Sequence, residues 1–232
     1  MPLRSAPLTR DDIVAAAVEL ADRDGLAKLS MRALARALSV EAMSLYHHVA
    51  HKEALLDGMV DHVFTEFHLP RAGHDWASEM RRRAVTARES LLRHPWAIGL
   101  MDSRVNPGEA TLRHHDAVIG CLRAAGFSVE LAAHAFALLD SHVYGHVLQE
   151  VALPFQPGDD LAPLAEAMLA SLPSDALPHL AEMARVHVFR PGYTFGAELT
   201  WGLELVLAGL AQRLADESGD ESGDESGGPS GS

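Results

Sequence analysis

Apolar residues recur along this chain at the spacing of a helix and hardly anywhere at the alternation of a strand. Ile13, Ala17, Leu20 and Ala21 share one helical face, as do Met31, Leu34, Ala35 and Leu38. A longer stripe follows in Leu55, Leu56, Met59, Val60, Val63, Phe64 and Phe67. Ala and Leu dominate, and aromatic or β-branched runs are scarce, so the pattern predicts an all-α fold. Polar residues punctuate it. Thr9 suits the cap of a first helix, with Asp11 and Asp12 placed for the helix dipole and Gly25 as its stop. Ser30 suits the cap of a second. After Ser39-Val40, a short third helix holds Leu45 and Val49, and a fourth runs from about Lys52 until Pro70 and Gly73 end it.

A second block begins near Asp75. Its pattern predicts helices over about 75–93 and from Pro95 to about 103. Another is expected from Asn106 as cap, with Pro107 in the first position, to Gly126. Ser128 starts a helix ending before Pro154. The stretch 153–163, rich in Pro, Gly and Asp, reads as a surface loop. Shorter helices are expected within 160–187 and a long one over 194–215. From 216 to 232 the chain repeats ESGD, ESGD, ESGG, PSGS with no apolar residue, which predicts a disordered, solubilising tail.

With 232 residues the chain has room for one larger or two small domains. Cys121 is the single cysteine, so neither an internal disulfide nor a cysteine metal site is available, in keeping with a reducing cytoplasm. Met1 to Pro7 lack the apolar core of a signal peptide, and no stretch reads as a membrane span. The net charge is −13, but six tail acids contribute to it and the rest carries −7. Nucleic-acid binding needs a local basic footprint, which Arg32, Arg36 and Lys52 offer.

Ser39-Val40-Glu41 forms a three-residue turn between an amphipathic helix and a short one exposing Ala42, Met43, Ser44 and His47. An ordinary helical hairpin and a DNA-reading helix-turn-helix both fit that pattern alone. The flanking residues narrow it. Met31-Arg32-Ala33-Leu34-Ala35, Leu38-Ser39-Val40, Ser44-Leu45-Tyr46-His47-His48-Val49 and Lys52-Glu53-Ala54-Leu55-Leu56 together resemble the N-terminal domain of the tetracycline-repressor (TetR) family. His94, Gly126-Phe127-Ser128 and Phe195-Gly196-Ala197-Glu198-Leu199 resemble the C-terminal domain of its tetracycline-repressor branch.

The resemblance implies a three-helix helix-turn-helix domain over 1–52 and a helical ligand-binding and dimerisation domain over 53–215, with helix 53–68 as connector. It implies a homodimer, formed through helices 128–150 and 194–215, that acts as a repressor on a palindromic operator and is released by a small-molecule effector. An activator of the same fold would read alike. Arg32 matches a position reaching a base or phosphate; Ala42, Met43 and Ser44 match the base-reading edge, suited to thymine methyls and to a base or phosphate. Glu41 suits either a cytosine contact or, better, a helix cap. Tyr46, His47, His48 and Lys52 match phosphate-binding positions, with packing or hydrogen bonding inside the domain as the competing role of His48.

For the effector, the resemblance implies His68 as a contact at the end of the fourth helix. It also points to departures from a magnesium–tetracycline site: Arg83 where an amide stands, Ala87 where an aromatic stands, no metal-binding histidine near Met101 to Val105, and Gln149 in place of an acid. Hence no metal or cofactor is expected. A more apolar or acidic effector fits, with Arg83 or Arg104 as counter-charge or simply as surface residues. Trp96, Met101, Val118, Phe136 and Tyr144 are candidate walls, or core. His134, His142 and His146 have metal-compatible spacing but no acidic or cysteine partner at a convincing spacing, favouring core or interface roles. The competing class is a helical enzyme or carrier without DNA function; no catalytic motif supports it.

Overall fold

The computed structural model describes residues 7–101, 106–154, 166–167, 170 and 177–224, and among these there are helices and no strand. In order they are α1 (Arg10–Asp24), α2 (Met31–Leu38), α3 (Ala42–Leu45), α4 (Lys52–Phe64), α5 (Trp76–Arg93), α6 (Ile98–Met101), α7 (Glu109–Ala124), α8 (Val129–Val151), α9 (Pro178–Met183) and α10 (Phe195–Asp224). A π-helical turn, Ala184–Val188, follows α9. The expected loop over 153–163 and the helices expected before 177 fall largely outside the described residues.

Local chemistry sets several starts. Thr9 and Asp12 form a reciprocal capping box at α1. Ser30 caps α2, Asp75 caps α5 and Ser128 caps α8, each side-chain oxygen accepting a backbone N–H three residues on. α7 differs from expectation. It begins at Glu109 after Gly108, which has no side chain to cap it, and not at Pro107. The acceptor comes instead from Asp61 of α4, which takes the N–H of Ala110 at 3.3 Å and of Thr111 at 2.8 Å.

The tail also differs. α10 runs through residue 216 to Asp224. Glu217 gives the reason: its carboxylate accepts from the Ser128 hydroxyl at 2.8 Å and the Ser128 N–H at 3.2 Å, so the start of the acidic repeat has a docking partner at the head of α8.

Two cores result. Ile13, Leu20, Leu34, Leu45 and Leu55 anchor one, within α1–α3 and the first half of α4. The other is built by α5, α7, α8 and α10 around Leu91, Leu122, Phe127 and Leu139. α4 serves both, giving Leu55, Leu56 and Met59 to the first and Val60, Val63 and Phe64 to the second. Leu199, Leu203, Leu207 and Leu210, at helical spacing on α10, are buried in the second core. The outer apolar face of α8 and α10 is carried by Leu138, Leu148, Trp201 and Leu205, all exposed. No helix of the described residues is long and apolar enough to cross a membrane.

Candidate reading head and the cavity beneath it

The turn after α2 is made by Ser39, which adopts a left-handed conformation (φ 57°) and is the one non-glycine residue among those described to do so. The Val40 N–H then reaches back to the Ala35 carbonyl at 3.0 Å. This closes α2 and aims α3 outward. Leu45 and Val49 anchor α3 in the core, leaving Met43 72% exposed. Arg32, Tyr46, His47, His48 and Lys52 are exposed, and Ala42 and Ser44 half-buried. All eight anticipated DNA contacts therefore lie on α2, on α3 and its following turn, and at the start of α4. Exposure of His48 removes the alternative of packing inside the domain. Glu41 makes no side-chain capping bond; its backbone carbonyl accepts from Ser44 at 2.9 Å.

Behind the head, α4, α7 and α8 enclose a cavity of about 280 Å3. Asp57, Val60 and Phe64 of α4 form one wall; His115 of α7 and Phe136 and Asp140 of α8 lie opposite. Met101 and Tyr144 also line it, as anticipated together with Phe136. Burial pushes the His115 imidazole below its ordinary value, with the Asp140 charge opposing that and Arg83 reinforcing it.

Arg83 is neither a surface residue nor a free counter-charge. It is 2% exposed, its guanidinium bonded to Asp140 and, through Nε, to His114 Nε2 at 3.2 Å. The expectation that it would receive an acidic effector is corrected: its charge is already taken. His114 must accept at Nε2, so its proton sits on the buried Nδ1, which has no partner among the described residues. Burial above all, then the Arg83 charge, lowers its pKa to about 3 and keeps the ring neutral.

Other anticipated ligand residues lie elsewhere. Ala87 of α5 and Val118 of α7 are sealed in the second core, on faces turned to the neighbouring helices. His68 turns from the cavity to Glu79, Nε2 to Oε2 at 2.7 Å, and its N–H bonds Thr86. That bond leads in holding the Glu79 carboxyl below its ordinary value, against burial. Trp96 donates to Asp22 and packs between the two cores. Arg104 lies outside the described residues. His134, His142 and His146 do not converge: they meet Glu130, the Leu199 carbonyl and the Phe195 ring respectively. No three metal-ligating groups gather among the described residues. Sequence reasoning missed Asp57, His115 and Asp140, whose helical spacing on one face of three separate elements gave no local signal.

A head that projects one short helix is joined by one helix to a cavity, and both parts resemble known proteins. Residues 13–59 match the bacterial regulatory proteins of the tetR family, and residues 69–214 match the tetracyclin repressor-like C-terminal domain. The chain belongs to the TetR family. It is 42% identical over 149 residues to an HTH-type transcriptional regulator of Saccharopolyspora erythraea, an alignment spanning 63% of each chain and so less than two thirds of that relative. It is 31% identical to the class D tetracycline repressor protein of Escherichia coli, covering 73% of this chain and 82% of the repressor. Among solved structures it is similar to the TetR family protein ActR of Streptomyces coelicolor in complex with actinorhodin, at 30% identity and a TM-score of 0.74, covering 90% of this chain and 99% of ActR. TetR membership sets aside the enzyme reading, since the family is one of regulators.

Proposed function

We propose that this TetR-family member is a cytoplasmic, homodimeric transcriptional repressor that grips a palindromic operator and is released when a small molecule fills the cavity. The observation carrying this is the double use of α4, which builds the head with Leu55 and Met59 and walls the cavity with Val60 and Phe64. An occupant that displaces that wall moves the head. To act, it must bind the non-DNA state better. Pairing of the exposed α8 and α10 faces would set two copies of α3 about 34–36 Å apart, one turn of DNA.

In this reading the head spans about 1–52 and the effector and dimerisation domain 53–215, joined by 53–68. Arg32, Ala42, Met43 and Ser44 face base edges; Tyr46, His47, His48 and Lys52 hold phosphates. The aromatic walls Phe64 and Phe136, and the likeness to a protein solved with actinorhodin, support an aromatic effector. Asp140 is bonded to Arg83, and a carboxylate only accepts hydrogen bonds, so the effector carries a hydroxyl or amine donor there. The test is footprinting on DNA upstream of its own and neighbouring genes, with and without such compounds. A footprint with dyad symmetry, lost on adding one of them, is expected; no protected dyad at any ionic strength sinks the proposal.

A further inference from the structure

Asp22 lies near the end of α1, in the head, and its carboxylate faces the body. His94, just past the end of α5, places Nδ1 2.9 and 3.0 Å from the two Asp22 oxygens, while Trp96 Nε1 donates to the same carboxylate at 2.6 Å. On the opposite side of the ring, His94 Nε2 is 3.3 Å from Glu66 Oε1, two residues beyond α4. A residue only 7% exposed thus stands between two carboxylates supplied by different parts of the chain. The remaining Glu66 oxygen is held by the Ser90 hydroxyl at 2.7 Å and by Arg93 at 2.6 Å. Burial raises the Glu66 carboxyl, but the Ser90 bond and the His94 and Arg93 charges together hold it below its ordinary value.

Carboxylates only accept, and a neutral imidazole has a single N–H to give. One of the two flanking carboxylates would then face a bare lone pair. Only the doubly protonated ring donates to both. We propose that His94 is a positioning residue that clamps the reading head onto the body, and that the clamp is tightest when its ring carries both protons. Asp22 is the head's side of the clamp; Glu66 and Arg93 are the charged groups on the body's side. The site lies at the far end of α5 from His68 and uses no cavity residue, so it sets the head's position independently of an effector. The inference rests on the DNA-binding reading for its consequence, not for its geometry.

The experiment uses the full chain as wild type, His94→Gln and Asp22→Asn, in two arms. The first measures affinity for the footprinted DNA across about pH 6 to 8, where histidines change charge. Other titrating groups at the DNA, His47 and His48 included, cancel in the ratio of wild type to His94→Gln. That ratio is expected to change about fivefold over the range, at the low end of coupling between sites. Asp22→Asn should follow His94→Gln. A ratio constant with pH overturns the clamp. The second arm needs no DNA. Trp96 lies 6.0 Å from the His94 ring, so its emission, isolated by subtracting Trp96→Phe, should step with pH in wild type and not in His94→Gln. A step that persists without His94, or no step in wild type, also overturns it. If no form binds DNA, the repressor reading fails while the emission still decides the clamp. If His94→Gln does not fold, Asp22→Asn carries the first arm and His94→Asn replaces His94→Gln in the second.

Discussion

Asp61 on α4 accepts both the backbone N–H of Thr111, at 2.8 Å, and its hydroxyl, at 2.9 Å. The helix that carries the reading head is thereby latched to the start of α7, beside the cavity. Gly108 makes the approach possible: a Cβ there would fall 2.1 Å from the Asp61 carboxyl carbon.

Asp61→Ala removes the cap of α7 and leaves its N–H groups without that acceptor, at a cost of about 1–2 kcal/mol. Gly108→Ala should destabilise by about 1–3 kcal/mol, because the latch must move aside. Urea unfolding measures both. An unchanged midpoint in either would show that the latch is not formed in solution.

At the head, Tyr46→Ala and Lys52→Ala should weaken binding to every DNA sequence alike, with Lys52→Ala lowering the salt slope by about 1. Arg32→Ala should instead relax discrimination at one base pair by about 1–3 kcal/mol. Titrations against operator and scrambled duplexes at several salt concentrations separate the two behaviours. Operator binding unaltered in all three variants would refute the docking geometry.

Arg83 and Asp140 form a largely buried ion pair beside the cavity. Breaking such a pair from one side strands a charge, so Arg83→Ala should cost about 3–5 kcal/mol. Arg83→Met with Asp140→Leu should recover much of that loss while abolishing effector response. A double variant no more stable than the single one would contradict the pairing.

His114 gives stability a defined pH dependence. Its pKa is about 3 folded against an ordinary 6.5, so the unfolded chain binds the proton more readily. The contribution is whole above about pH 6.5 and is lost as pH falls toward 3. His114→Gln should flatten that part of the stability curve in denaturant titrations at stepped pH; a curve parallel to wild type would be the contrary result.

The parts of the fold legible in the sequence are those written locally. Thr9, Ser30, Asp75 and Ser128 each cap through an N–H three residues on, so their helices could be placed by reading along the chain. The start of α7 could not, because its acceptor is Asp61, 50 residues from Thr111. The same distance hid Arg83: only folding brings Asp140 and His114 against it. The short third helix was legible because its anchors Leu45 and Val49 sit at helical spacing, but its reading as a DNA head came only from the resemblance carried by Met31 to Leu56. The acidic repeat misled in its first unit, where composition says nothing of Glu217 meeting Ser128.

Because α4 passes without a break from Met59 in one core to Val60 in the other, neither core can come apart alone without stripping half of that helix of its packing. Head and body should therefore melt as one cooperative unit. A fragment cut after the reading helices would lack Leu55, Leu56 and Met59 and the floor on which α1 rests. Evolving a new operator preference on this scaffold then carries a constraint: substitutions are tolerated on the outward residues of α3, whereas any that loosen α4 are felt at once in the cavity that Val60 and Phe64 wall.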